Sequence, residues 1–155
     1  MEFKDFDYLL NKKDENQEMI FNDKRLLGEN DNLICEIIRK NMIDEFLNYI
    51  QQNNYSLSSN IPHSIFETNA FLLKRNPTLI EYSAFFGSFN IFKYLVDQDI
   101  DLTPSIWIYA IHSQNKKIID LLKQKNIQPE SYDKCFIESL KYHHNELALY
   151  FKKIY

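Results

Sequence analysis

Thr78–Leu95 reads TLIEYSAFFGSFNIFKYL, and the same design recurs as SIWIYAIHSQNKKIIDLL over Ser105–Leu122 and KCFIESLKYHHNELALYF over Lys134–Phe151. Each copy opens with a short amphipathic run that holds a small residue on its inner face: Ser83, Ala110 and Ser139. A polar break follows at Gly87-Ser88, Gln114-Asn115 and His143-His144. A second run then closes on a bulky pair, Tyr94-Leu95, Leu121-Leu122 or Tyr150-Phe151. The copies start at 78, 105 and 134, spaced by 27 and 29 residues. This spacing predicts an all-α chain of helix-turn-helix units stacked as a solenoid, in which no unit buries its apolar face alone. Solenoids serve mostly as binding scaffolds.

Outward from this core, DNLICEIIRK (31–40) and MIDEFLNYIQQ (42–52) predict an earlier helical pair with Asn41 at its turn and Asp31 or Asn32 as N-cap. Phe46, Tyr49 and Ile50 match Ile91, Tyr94 and Leu95 at an offset of 45, longer than the later spacing by one short helix. The excess is NYSLSSNIPHSIFETNAFLLKRN (54–76), where Ser64-Ile65-Phe66 echoes Ser105-Ile106-Trp107; a degenerate repeat is expected there. Residues 1–30 read as an N-terminal helical cap or extension, with Phe3, Phe6, Leu9 and Leu10 on one face of a first helix. EMIFNDKRLL forms a second, stopped by Gly28. Pro77 and Pro104 stand where first helical turns accept proline. Lys152 and Lys153 fall in a last turn, where the helix dipole favours cations.

Composition narrows the class. With 2 Gly and 4 Pro in 155 residues, the chain lacks the turn residues of a β-sandwich or barrel, and asparagines such as Asn41, Asn54 and Asn126 take over turn work. The net charge of −4 makes nucleic acid or an anionic membrane an unnatural partner. Lys116, Lys117, Lys123 and Lys125 share their segment with Asp120 and read as a solvated face. Cys35 and Cys135 each lie in an apolar run, as buried free thiols do in a reducing compartment. MEFKDFDYLL carries acids where a secretory leader needs cations, and no apolar run reaches membrane-spanning length. A cytoplasmic protein is expected.

The run Thr78-Leu79-Ile80-Glu81-Tyr82-Ser83-Ala84-Phe85-Phe86-Gly87-Ser88, followed by Ile91-Phe92-Lys93-Tyr94-Leu95, resembles the ankyrin repeat. In that family a Thr opens the first helix, a small pair sits in its middle, a Gly ends it, and a branched-apolar/Leu-Leu pattern marks the second. The likeness spans residues 31–155, as about four helix pairs, and is most specific over 76–122. It is similar to the diverged ankyrin-like proteins expanded in some parasitic protists. Ankyrin units run about 33 residues; the shorter spacing here implies shortened or missing β-hairpin fingers between units. The resemblance carries over the partner-facing pair near the end of each first helix, which maps to Phe85-Phe86, His112-Ser113 and Lys141-Tyr142. Phe85 and Phe86 have two readings, as packing against the preceding unit or as an exposed anchor for a partner. Trp107 aligns with Ile80 and Phe136 and is expected in the core, while Tyr82, Tyr109 and Tyr142 read equally as core edges or contact residues.

Catalytic signals are thin. Two glycines rule out a dinucleotide fingerprint or a phosphate-binding loop, and no cofactor is indicated. His143, His144 and Glu146 invite an alternative reading as a metal-binding regulator or enzyme. Adjacent histidines on a helix diverge by about 100°, however, so they read better as a turn that satisfies helix ends. The sequence thus leads to a non-enzymatic protein–protein interaction module or scaffold, with another protein as partner. A permanent place in a larger assembly, such as a cytoskeletal one, is the same function in another setting.

Overall fold

The computed structural model describes residues 16–154, and every regular element among them is helical. The expected helix bearing Phe3, Phe6, Leu9 and Leu10 lies outside these residues. Two compact units form among the described residues, one from 16–32 with Pro62–Arg75, the other from Leu33–Ile61 with 76–154.

In the first unit, α1 is helical across 16–27 and stops at Gly28, whose φ of 64° lies in the left-handed region. The Gly28 carbonyl then accepts from the Thr68 amide (3.0 Å) and hydroxyl (2.9 Å). Asn30 is buried; it donates to the Pro62 carbonyl at 2.7 Å and accepts from the Asn32 amide at 3.1 Å. Phe21 meets Phe66 edge-on with ring centres 5.2 Å apart. Asn69 caps the short α4 (Ala70–Leu73). The echo of Ser105-Ile106-Trp107 at Ser64-Ile65-Phe66 forms no helix. The Ser64 hydroxyl accepts from the Phe66 amide (3.0 Å) and donates to Asp31 (2.7 Å), local bonds that compete with a helical ladder, and Ile65 stands exposed.

In the second unit the helices come as hairpins: α2 (Leu33–Arg39) with α3 (Ile43–Asn53), α5 (Leu79–Phe86) with α6 (Phe89–Asp97), α7 (Ile106–Ser113) with α8 (Lys116–Gln124), and α9 (Tyr132–Lys141) with α10 (Asn145–Ile154). First helices contact one another in the row α2, α5, α7, α9, and second helices in the row α3, α6, α8. Each hairpin turn is made by one left-handed residue: Asn41 (φ 53°), Gly87 (70°), Gln114 (54°) and His143 (57°). Each second helix up to α8 also leads into one, at Asn54, Asp99 and Asn126. In three of the four hairpins the amide after the turn reaches back to the helix in the same way: Met42 to the Ile37 carbonyl (3.1 Å), Ser88 to Ser83 (2.9 Å), His144 to Ser139 (2.7 Å). Tyr55, Ile100 and Ile127 repeat it on Ile50, Leu95 and Leu122. One residue with φ above zero after each helix from α2 to α3 and from α5 to α9 thus marks the period.

Turns also tie each hairpin to its neighbour. The Ser88 hydroxyl donates to the Ile38 carbonyl, Asn115 Nδ2 to Gly87 at 2.8 Å, and Gln114 Nε2 to Tyr142 at 2.5 Å. Gly87 needs its identity twice over. Besides its φ, a Cβ there would lie 3.2 Å from Ser113 Cβ, a tight contact with the next hairpin. Thr78 caps α5 in a capping box with Glu81, whose other carboxylate oxygen accepts from the Ser105 hydroxyl at 2.7 Å and so links α5 to the start of α7. Pro77 and Pro104 lie one residue before the N-caps Thr78 and Ser105, just short of the first turns expected for them. Ser83, Ala110 and Ser139 are all 0% exposed, so the small residues of the repeat lie in the core of the stack. Trp107, at 1% exposed, is core. The connections 98–105 and 125–131 hold no strand, and extended pairing among the described residues is confined to one antiparallel bridge between Asn60 and Thr78.

His143 is exposed and holds φ 57° without a glycine's freedom. His143→Gly is expected to stabilise the chain by roughly 1 kcal/mol, the strain a side chain pays in that region. A raised midpoint in urea checks this, and an unchanged or lowered one contradicts it.

Candidate functional site

The positions that end each first helix come together on one line. α5 contributes Phe85 and Phe86 just before Gly87, α7 contributes His112 and Ser113 just before Gln114, and α9 supplies Lys141, with Tyr142 just before His143. Because α5, α7 and α9 pack side by side, equal distance from the turn becomes adjacency across the stack. The rings run without a gap: Tyr82 to Phe86 at 4.6 Å, Phe86 to Phe85 at 5.0 Å, Phe85 to His112 at 4.8 Å, His112 to Tyr142 at 4.1 Å between centres. The first three fall within the range of offset and edge-on aromatic attraction, and the His112–Tyr142 pair is closer still.

Burial sorts the six residues. Phe85 is buried and acts as the strip's floor, Phe86, His112 and Ser113 are half-buried, and Tyr142 and Lys141 are exposed. The Ser113 hydroxyl is committed to the turn, donating to the Ala110 carbonyl (3.0 Å) and accepting from the Asn115 amide (3.2 Å). Lys141 pairs with Glu138 on its own helix at 2.7 Å. Burial, with the nearby Glu138 carboxylate second, holds the Tyr142 hydroxyl above its ordinary pKa, so it stays a neutral donor at physiological pH.

Arg39 joins the strip from α2. Its Nη1 donates to the buried Tyr82 hydroxyl at 2.9 Å, and its guanidinium sits 5.9 Å from the Phe86 ring centre. It was legible by position, two residues before the turn residue Asn41 as Phe85 is before Gly87. The strip is therefore an apolar line with cations at both ends, Arg39 and Lys40 on one side and Lys141 on the other. Lys40, like Lys141, is held by a glutamate of its own helix, Glu36 at 2.6 Å.

The second candidate constellation does not assemble. His143 occupies the left-handed turn, and Glu146 lies exposed in the first turn of α10. His144 is half-buried, with Nε2 lacking a hydrogen-bond partner among the described residues. Desolvation holds its pKa below the ordinary histidine value, with Glu146 opposing. Among the described residues no group of three or more His, Cys, Asp or Glu side chains converges as a metal ion would require. Cys35 and Cys135 are buried and in no disulfide. Burial, aided by Glu138, pushes the Cys135 thiol up to about 12, far from the thiolate a nucleophile needs. No described helix is long and apolar enough to cross a membrane.

The chain matches no protein-family model, no curated protein and no solved structure.

Proposed function

We propose that this chain is a non-catalytic, ankyrin-like helical solenoid with reduced fingers, recognising another protein along the strip from Arg39 through Phe86 and His112 to Tyr142. The observation that carries this reading is the unbroken ring path contributed by α5, α7 and α9. A merely solvated edge has no use for a run of stacked aromatics that ends on half-buried and exposed rings, whereas aromatic anchors with low side-chain entropy are what a protein interface uses. Recognition is rigid: the rings are held by one another and by turns bonded to neighbouring hairpins, so little ordering is left to the moment of binding. The partner supplies apolar side chains to the middle of the strip and acidic ones to its ends. Permanent membership of a larger assembly, a cytoskeletal one included, uses the same surface. A cytoplasmic setting goes with buried cysteines, Cys35 and Cys135, that form no disulfide.

The test is capture from the source cell with the wild-type chain, with Phe86→Ala/Tyr142→Ala, and with Lys117→Ala, each also melted. Loss of an aromatic anchor costs about 2 kcal/mol or more of binding, while the exposed Lys117 costs well under about 1 kcal/mol. A partner retained by Lys117→Ala and lost by the ring variant, at near-equal melting temperature, supports the reading. Capture indifferent to the ring variant overturns it.

A further inference from the structure

The last hairpin presents a face built like the covered interfaces that precede it. In α7, Ile108 is 8% and Ile111 0% exposed; their counterparts in α9, Ile137 and Leu140, are 50% and 46% exposed. In α10, Leu149 is 57% exposed at the position where α8 carries the charged Asp120. A hairpin face turned to water carries polar residues as a rule; this one carries branched aliphatics. Phe136 stands between two adjoining depressions of about 270 and 320 Å³, the first lined also by Tyr132, Asp133, Phe151 and Lys152, the second by Leu140, Ala148, Leu149 and Lys152.

Asp133 and Lys152 mark what covers this face. They lie at the same end of the antiparallel hairpin, one on each helix, rim the same depression, and form no ion pair among the described residues. Opposite charges on the two helices of one apolar face are self-complementary under a two-fold axis parallel to the helices. α9 of one copy then lies on α10 of the other, and Asp133 of each meets Lys152 of the other. We propose that the α9–α10 face pairs two copies of this chain in a closed, isologous dimer, independent of the aromatic strip. Ile137, Leu140 and Leu149 form the dry centre of that contact and the two Asp133–Lys152 pairs its rim.

Sedimentation velocity on the full chain, from low to high micromolar, tests this. The wild type is expected to reach twice the 18.7 kDa of one chain, and Leu149→Lys to remain monomeric with its helical circular dichroism intact. Asp133→Lys and Lys152→Asp are each expected to weaken the dimer at least tenfold, and the two together to restore it. A wild type that stays monomeric throughout, leaving the face to a helical hairpin of another protein, overturns the proposal. So does a dimer indifferent to Leu149→Lys, or a charge-swapped double variant no better than the single ones.

Discussion

Trp107→Ala is expected to cost about 3–5 kcal/mol, the range for emptying a large aromatic site that cannot collapse. Against a total stability of about 5–15 kcal/mol for a domain, that leaves a chain partly unfolded at physiological temperature. Trp107, the chain's single tryptophan, holds several elements at once. From α7 its indole Nε1 donates to the Ile127 carbonyl at 2.7 Å, in the connection after α8. Its ring stacks 6.2 Å from Tyr150 and meets Phe151 edge-on at 5.3 Å, both on α10. The truncation therefore removes packing between the last two hairpins and leaves a carbonyl without its donor. Trp107→Phe separates the two effects. It keeps most of the ring contact and loses the hydrogen bond, so it is expected to cost about 1–3 kcal/mol, the penalty of one unmet buried polar group. Urea denaturation followed by circular dichroism ranks the variants. A loss below about 1 kcal/mol for Trp107→Ala would mean that α7 and α10 do not meet as described.

The same residues show how far the sequence could be read. Helix pairing was legible because the chain punctuates itself chemically: Asn41, Gly87, Asn54 and Asn126 are residues that tolerate φ above zero, and each falls where a helix turns back or ends. Gln114 is a poor candidate for that conformation by type, and only alignment with Gly87 exposed it; His143 is better suited, but it too was placed by that alignment. Segment 54–76 defeated the same method. It has no sustained 3.6-residue period, and its course is decided by side-chain bonds such as those of Asn30 and Ser64 to residues about thirty positions away, which no local pattern reveals. The aromatic strip was half legible. Position relative to the turn fixed which residues share an edge, but not which of Phe85 and Phe86 faces inward. Neighbours on a helix point about 100° apart, and the choice falls to what the next hairpin offers, here the His112 ring under Phe85. The Arg39–Tyr82 bond joins residues 43 apart through side-chain tips, and tip geometry lies beyond any spacing rule.

Ala110→Leu is expected to cost about 1–3 kcal/mol by overpacking, with Ala110→Ser as its near-neutral companion. Ala110 sits in the middle of α7, which contacts α5 on one side and α9 on the other, and its methyl is fully buried. The equivalent residues of the flanking helices, Ser83 and Ser139, are equally buried and equally small. Three added carbons must then push α7 off at least one neighbour, or drive a side chain out of its rotamer, because a close-packed interior has no slack to absorb them. Serine adds one atom and brings its own solution. The Ser83 hydroxyl donates to the Ile80 carbonyl at 2.8 Å and the Ser139 hydroxyl to Cys135 at 2.7 Å, each within its own helix, so a serine at 110 has a ready acceptor one turn back. The pair of variants thus tests spacing and not polarity. Thermal melts with Leu well below wild type and Ser beside it mean that the first helices touch at this level of the stack. Equal melts for Leu and wild type mean that α7 carries open space where α5 and α9 should press, and the register of Ser83, Ala110 and Ser139 is then not the one that sets the distance between hairpins.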